Sequence, residues 1–514
     1  MGAKAAVYRP LILAFALAGC GSGGGSEVAA PNAPKKPDDP KVETSVVGKT
    51  VELMARTDDQ LPTWTVKAQN ATLNMFTDAN VTSVLKDVEG DLFDKGKVAS
   101  SYEADNAFAN RSTKNLQLKG NVMVTNPEKT VTMHCNALDW RPDLELIQAR
   151  GDVRLIGNGY ESGSFQLVWL TPDLNRAGTP DLIKKDINMK QLLASLALGS
   201  AITQQTISFK SDEIQVLGMT SWRADRQADG EDVTFTGAGN PFTLELLKQG
   251  GKLTGRNVTG RLVRFEKTYR LGTADITGNA VAKFDKEGIQ QTLTSERFSY
   301  VASSVTAAKI TAPSAFTFTQ VSKGTIGFKG SQAVVNLVRN PQGAFALESA
   351  TIPSAFTFDQ VVYNTNLEGS GTGANYTIKG DLGEISIKSN LKIVRTSNEN
   401  GSAVRIGLNG NSGRAETKVS TGELNEAHVN GNVKFTYYAK DAKGTITDIN
   451  GSASSIEFYP NQRMILKGGV KVGGSANALI GDLSAETVTL RFNGQGELVG
   501  VEAGTGTARL GGNP

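Results

Sequence analysis

One short phrase recurs along this chain: a glycine, then asparagine, aspartate or a second glycine, then an alternating apolar run. It stands at Gly120-Asn121-Val122, at Gly151-Asp152-Val153, at Gly278-Asn279-Ala280, at Gly431-Asn432-Val433 and at Gly468-Gly469-Val470. Glycine and asparagine both tolerate φ > 0, so each phrase predicts a tight turn. A short strand is expected to leave each turn, with Val122 and Val124 on one face, and likewise Val153 and Leu155. Between the first two turns, Val131, Met133, Cys135 and Ala137 are expected on one face, with Thr132, His134 and Asn136 on the other. One supersecondary unit is therefore reused along most of the chain.

From Trp64 onward, turn signals such as Glu89-Gly90, Asp94-Lys95-Gly96 and Lys119-Gly120 come about every 8 to 12 residues, the mark of an all-β chain. A second repeat lies further on. Pro313-Ser-Ala-Phe-Thr-Phe-Thr-Gln-Val321 returns as Pro353-Ser-Ala-Phe-Thr-Phe-Asp-Gln-Val361, and in each copy two phenylalanines (Phe316 and Phe318, Phe356 and Phe358) share a face. Toward the C-terminus Val433, Phe435 and Tyr437 alternate, followed by Ile456 and Phe458, Val470 and Val472, then Val488, Leu490 and Phe492. Lys434, Glu457, Lys471, Thr489 and Arg491 take the opposite face.

One segment breaks the period. Thr179 as N-cap and Pro180 at the first helical position lead into Leu182, Ile183, Ile187, Leu192, Leu193 and Leu196, closed by Gly199. That spacing predicts an amphipathic helix of about 18 residues, read as a cap over one sheet end or as a lid or membrane-contacting element. It also marks a boundary.

The N-terminus fixes the expected compartment. Lys4 and Arg9 precede the apolar run Leu11 to Leu17, which meets Leu17-Ala18-Gly19-Cys20, the layout of a secretory signal peptide. The run falls short of the ~20 residues a spanning helix needs. Cysteine after Leu-Ala-Gly resembles the lipobox of bacterial lipoproteins, which implies lipidation at Cys20 and a membrane-anchored lipoprotein of the cell envelope facing the periplasm, at the inner or the outer membrane. Gly21 to Ser26 and the prolines Pro31, Pro34, Pro37 and Pro40 form a linker.

Composition excludes several classes. Net charge is +3 and falls by two once Lys4 and Arg9 are removed, so nothing favours nucleic acid. Cys135 is the one cysteine besides Cys20, which rules out an intramolecular staple in the mature chain. His134 and Cys135, adjacent on a strand, point to opposite faces and cannot act as base and nucleophile. No cysteine or histidine pair has metal-ligand spacing. Gly48-Lys49-Thr50 lacks the first glycine of a phosphate loop, since Glu43 stands there. Asp212-Glu213 and Glu231-Asp232 read as solvated turns. The expectation is a non-enzymatic chain without cofactor.

The series Val84-Leu85-Lys86-Asp87-Val88-Glu89-Gly90-Asp91-Leu92-Phe93, Leu116-Gln-Leu-Lys-Gly-Asn-Val122, Ala137-Leu-Asp-Trp140, Gly151-Asp-Val153 and Gly163-Ser-Phe-Gln-Leu167 resembles LptC, of the lipopolysaccharide-export machine. Residues 425–514 resemble the related LptA/OstA unit. The resemblance implies an all-β fold, a β-jelly-roll or β-taco of stacked short antiparallel strands in tandem units, with one helix near 180–198. It also implies head-to-tail pairing of edge strands with other export-bridge proteins, and a trough for the acyl chains of lipopolysaccharide or another acylated glycolipid. The family's single uncleaved N-terminal helix and single small domain are not matched here.

The division expected is 1–19 signal peptide, 20–44 linker, 45–178 LptC-like unit, 179–199 helix, 200–424 divergent OstA-like repeats and 425–514 LptA/OstA-like unit. Groove candidates are Val122, Val124, Val131, Met133, Val153, Leu155, Phe316, Phe318, Phe356, Phe358, Val433, Phe435, Ile456, Phe458, Val470 and Val472. About 40 short strands stacked two per layer at ~4.8 Å predict a rod of about 100 Å. The competing expectation is a structural or adhesive β-rod with a dry core.

Overall fold

The computed structural model describes residues 42–508 apart from 77–80, 111–112, 127, 129, 184–206, 228–231, 266–267, 287, 340–344, 400–401, 442, 476–482 and 495. The described residues form 31 strands and one helical turn, Pro180–Ile183. The expected signal peptide, Cys20 and nearly all of the expected linker lie outside them. The first strand, Val42–Arg56, starts inside the stretch assigned to the linker and before the expected onset at Trp64.

The strands pair antiparallel as one ladder in chain order. Some rungs are single long strands, such as Thr268–Lys286 with 19 residues. Others consist of two short strands end to end: Tyr160–Ser162 and Phe165–Leu170 both pair with Leu146–Gly157. Ala307–Ala312 and Phe316–Val321 likewise share Ile289–Ala302. Strands are thus fewer and longer than expected. Counted this way there are about 25 rungs, roughly 115 Å at ~4.8 Å each.

The recurring glycine phrase explains the length. It does not turn the chain back; it bends a strand that continues. Gly120 (φ 79°) and Asn121 (φ 43°) lie inside the strand Leu116–Asn126, where the pairing register slips between Lys119 and Val122. Gly151 with Asp152, Gly278 with Asn279, Gly431 with Asn432, and Gly468 with Gly469 share the conformation, each within a strand. Two left-handed residues in succession make a bulge, and a bulge sharpens the local bend. Bulges at successive rungs align into a crease that folds the sheet into two facing arms. Pro353 sits at this crease inside Phe345–Val362, where the slip between Ile352 and Ala355 removes the need for its missing N–H.

Alternation then fills the space between the arms. Leu116 and Leu118 on one arm, and Val122 and Val124 on the other, are all buried in one core. Crossing the crease can also change the phase. In Val131–Arg141 the inward set is Val131, Met133 and Cys135 up to the slip between His134 and Ala137, and Leu138 and Trp140 beyond it. The expected inward Ala137 is only half-buried.

The helix differs in detail. Thr179 Oγ1 accepts from the Trp222 amide at 3.0 Å and donates to the Trp222 carbonyl at 3.2 Å. Its side chain therefore fastens the turn to the neighbouring strand and does not cap the helix. Ile183 packs on Leu146 and Trp169 in a small cluster separate from the main core. Ile187, Leu192, Leu193, Leu196 and Gly199 lie outside the described residues.

Candidate ligand-binding interior

The folded sheet has one interior running its length, and every groove candidate lies in it. Fourteen of them belong to the buried core, while Phe318 and Phe358 are partly buried against it. Buried residues from Ala55 to Phe492 belong to this one core.

Opposite the crease, the hairpins of the two arms face each other along a seam. Near the N-terminus it is fastened. Trp64 Nε1 donates to the Lys114 carbonyl at 2.8 Å, Ser100 Oγ to the Pro172 carbonyl at 2.8 Å, and Asn126 Nδ2 to the Asp173 carbonyl at 2.8 Å. Further along, Ser211 Oγ donates to the Tyr269 carbonyl at 2.9 Å, and the Phe345 amide to the Gln249 carbonyl at 2.9 Å. At the C-terminal end the Tyr437 hydroxyl donates to the Gly496 carbonyl and accepts from the Leu498 amide, while Ser402 Oγ donates to Glu497 at 2.7 Å. These ties hold the arms together at both ends.

Packing inside is uneven. Val122, Val124, Met133 and Val153, like Val433, Phe435, Ile456 and Val470, are buried among close neighbours. Two stretches are left partly empty. One is a cavity of about 120 Å³ whose lining includes Val131, Leu155, Phe165, Phe209, Trp222 and Phe235. The other is about 70 Å³, with a lining that includes Phe318, Phe328, Phe358, Tyr376, Ile385 and Phe458. A smaller void of about 30 Å³ beside Phe316 shares Phe318, Phe328, Tyr376 and Ile385 with it. For scale, an apolar cavity of ~150 Å³ stays dry and accepts benzene.

The duplicated Pro-Ser-Ala-Phe motif builds the second cavity. Its two copies do not pair directly; the strand Thr325–Gly330 lies between them, so Phe318, Phe328 and Phe358 stand on three successive rungs. Neighbouring ring centroids are 6.3 Å apart. Phe328 was missed from sequence, although Ile326 and Phe328 alternate in phase with the motif. Tyr376 and Ile385 come from the facing arm, and no spacing in the sequence announces that juxtaposition.

Reactive chemistry is sparse. Cys135 is buried, and burial pushes its thiol up to about 12, against thiolate formation at neutral pH. His134 is exposed on the other face. His428 meets Glu426 at 3.1 Å. Among the described residues no group of histidine, cysteine and acidic side chains could hold a metal ion, and no helix is long and apolar enough to cross a membrane. Two acidic residues read as solvated turns are buried instead. Glu213 accepts from Lys248 at 3.0 Å and Gln249 at 3.1 Å, and Asp232 pairs with Arg261. Both brace hairpins at the seam, because a buried carboxylate needs a cation or donor beside it.

Residues 11–167 match the family described as lipopolysaccharide-assembly, LptC-related. The match ends in the strand Phe165–Leu170, and the lining of the first cavity comes from both sides of that end, Val131 and Leu155 before it and Phe209 and Trp222 after it. Comparison with curated proteins gives no match.

Proposed function

From the LptC-related region over residues 11–167, we propose that the chain binds acyl chains of lipopolysaccharide or a similar glycolipid and passes them along an envelope-spanning β-bridge. On this reading, Cys20 carries the lipid that anchors it, facing the periplasm. The strand Val42–Arg56 pairs on one side only, with Pro62–Phe76, among the described residues. Its other edge would take a strand from a bridge partner. The observation that carries the proposal is the continuous apolar interior with unfilled stretches along it.

Magnitudes support a fold that opens to load. Cavities of about 120 and 70 Å³ take part of an acyl chain, so a longer chain requires the arms to part. Each seam hydrogen bond is worth about 1 kcal/mol net, and each methylene transferred from water contributes about 0.8 kcal/mol. A few methylenes therefore offset the loss of a few ties. The close packing around Val124 and around Leu466 favours the second reading, a structural rod with a dry core.

The test uses the full chain with Cys20→Ala, purified from a diderm host. A photo-crosslinking residue replaces Phe318 in one sample and Val124 in another, and bound lipid is read by mass spectrometry. Acylated glycolipid captured in near-stoichiometric amount from position 318, and more weakly from 124, is expected. Lipid-free protein with silent crosslinkers at both positions would replace transport with the rod.

A further inference from the structure

The cavity beside Phe318 and Phe358 has a polar row along its seam side. The repeat Phe-Thr-Phe-Thr-Gln320 and its copy Phe-Thr-Phe-Asp-Gln360 place a glutamine two residues beyond the second phenylalanine each time. Cross-strand pairing then aligns Gln291, Gln320, Ile326, Gln360 and Leu367 on successive rungs. Gln320 is 2% exposed and Gln360 7%, and both line the cavity. Gln291 Nε2 donates to Gln320 Oε1 at 3.0 Å, which leaves the Gln320 Nε2 turned away. Among the described residues, neither Gln320 Nε2 nor Gln360 Nε2 has a hydrogen-bond partner.

An unpaired amide donor buried against phenylalanine is costly, and a dry core would replace it with leucine. Two such donors at the same place in two copies of one motif call for an acceptor supplied from outside. The other polar residues of the lining already bond within the chain, Arg395 to Asn461, Arg414 to Glu426 and Thr417 to the Gly383 carbonyl, and the rest is apolar, so the ligand must bring alkyl chain to the phenylalanine row and a neutral or anionic oxygen to the glutamine row. Two rungs separate the glutamines, about 10 Å at ~4.8 Å per rung. One oxygen cannot satisfy both.

We propose that Gln320 and Gln360 receive the carbonyl oxygens of two acyl linkages of a multiply acylated lipid, whose chains lie against Phe318, Phe328 and Phe358. This rests on the acyl-chain reading above and narrows it: the site selects carbonyl-linked chains over plain alkyl chains. Ester- and amide-linked chains both offer the acceptor; ether-linked chains do not.

The experiment compares two phosphatidylcholines in mixed micelles, identical except that the hexadecanoyl esters of one are hexadecyl ethers in the other. Each competes with a fluorescent acyl probe for the full chain carrying Cys20→Ala. Two hydrogen bonds of about 1 kcal/mol each predict a preference for the ester of roughly tenfold or more. Gln320→Leu and Gln360→Leu should each reduce it by roughly half on a logarithmic scale, and the double variant should abolish it while still binding the ether. Leucine removes an unsatisfied donor at little change in volume; Gln320→Leu also takes the acceptor from Gln291 Nε2, but Gln291 is only half-buried and water can replace it, so neither variant should lose more than about 1 kcal/mol of stability. Equal binding of ester and ether by the parent, or a preference that survives in the double variant, overturns the carbonyl assignment and leaves acyl binding standing. If neither lipid displaces the probe, both readings fall.

Discussion

Trp64 and Lys114 meet across the seam: the fully buried indole donates from Nε1 to the Lys114 carbonyl at 2.8 Å, linking the two arms 50 residues apart in sequence. The Lys114 ammonium continues outward to Asp58, at 2.5 Å. The hydrogen bond belongs to a buried donor, whereas the ion pair lies in solvent.

That difference orders two substitutions. Trp64→Phe removes the donor and part of the ring volume, and should cost about 2 kcal/mol. Lys114→Ala keeps the carbonyl and loses only a solvated ion pair, so its shift should be the smaller of the two. Urea midpoints at constant slope measure both. A larger loss for Lys114→Ala would move the clasp from the indole to the ion pair.

The crease makes a second ordering. Gly120 and Gly288 both have positive φ, 79° and 81°. A Cβ on Gly120 would collide with the Asp105 carboxylate, Oδ2 nearest and Cγ at 3.0 Å, while one on Gly288, in a hairpin, would meet nothing within 4 Å. Gly288→Ala should cost about 1 kcal/mol, the backbone strain alone. Gly120→Ala adds the clash and should cost roughly 2–3 kcal/mol. Asp105→Ala should recover part of that loss in a double-mutant cycle. Equal costs at the two glycines would mean that the crease relaxes freely.

These glycines also show what a sequence can and cannot disclose. Gly-Asn reports φ > 0, and that part was legible at Gly120, Gly278 and Gly431. It does not report whether the chain reverses, as at Lys95-Gly96, or bends and continues, as at Gly120-Asn121, because both need the same local dihedrals. The choice is made by the neighbouring strand, which follows through the bend. For the same reason Ala137 was assigned to the wrong face: a bulge changes the phase of alternation, and only the partner strand shows where. Apolar faces were legible throughout, since Val124, Phe316 and Phe435 each keep period two on one side of the crease. The places where that interior is left unfilled depend on which side chains arrive from the facing arm, such as Tyr376 and Ile385, and sequence spacing carries no trace of that pairing.

Filled and unfilled stretches should respond differently to truncation. Phe435 is 2% exposed and lines none of the three interior cavities, whereas Phe358 is half-buried beside one. Phe435→Ala should therefore cost about 3–5 kcal/mol, and Phe358→Ala roughly half as much. Bound lipid should narrow stability differences least at Phe435 and most at Phe358, since only the latter faces the proposed ligand. Denaturation of lipid-free and lipid-loaded protein compares them. An equal cost at the two positions would point to a core packed alike throughout.

Alkaline pH should loosen the C-terminal clasp through Tyr437. Burial pushes its phenol up to about 12, partly opposed by the Leu498 amide that its oxygen accepts. The unfolded chain releases that proton near 10. Below pH 10 both states are protonated and the stabilisation is complete. Between about 10 and 12 the unfolded state deprotonates first, so stability falls by about 1.4 kcal/mol per pH unit, roughly 2.7 kcal/mol in all. Tyr437→Phe removes both hydrogen bonds and should begin about 1–2 kcal/mol lower at pH 8. Its decline above pH 10 should then be shallower, because one fewer buried phenol is titrating. Urea midpoints of parent and variant at pH 8, 10 and 11 give the two slopes. Converging lines place the proton on Tyr437, and parallel lines would assign the alkaline loss to the other buried phenols, Tyr102, Tyr160, Tyr300 and Tyr376, which burial also raises.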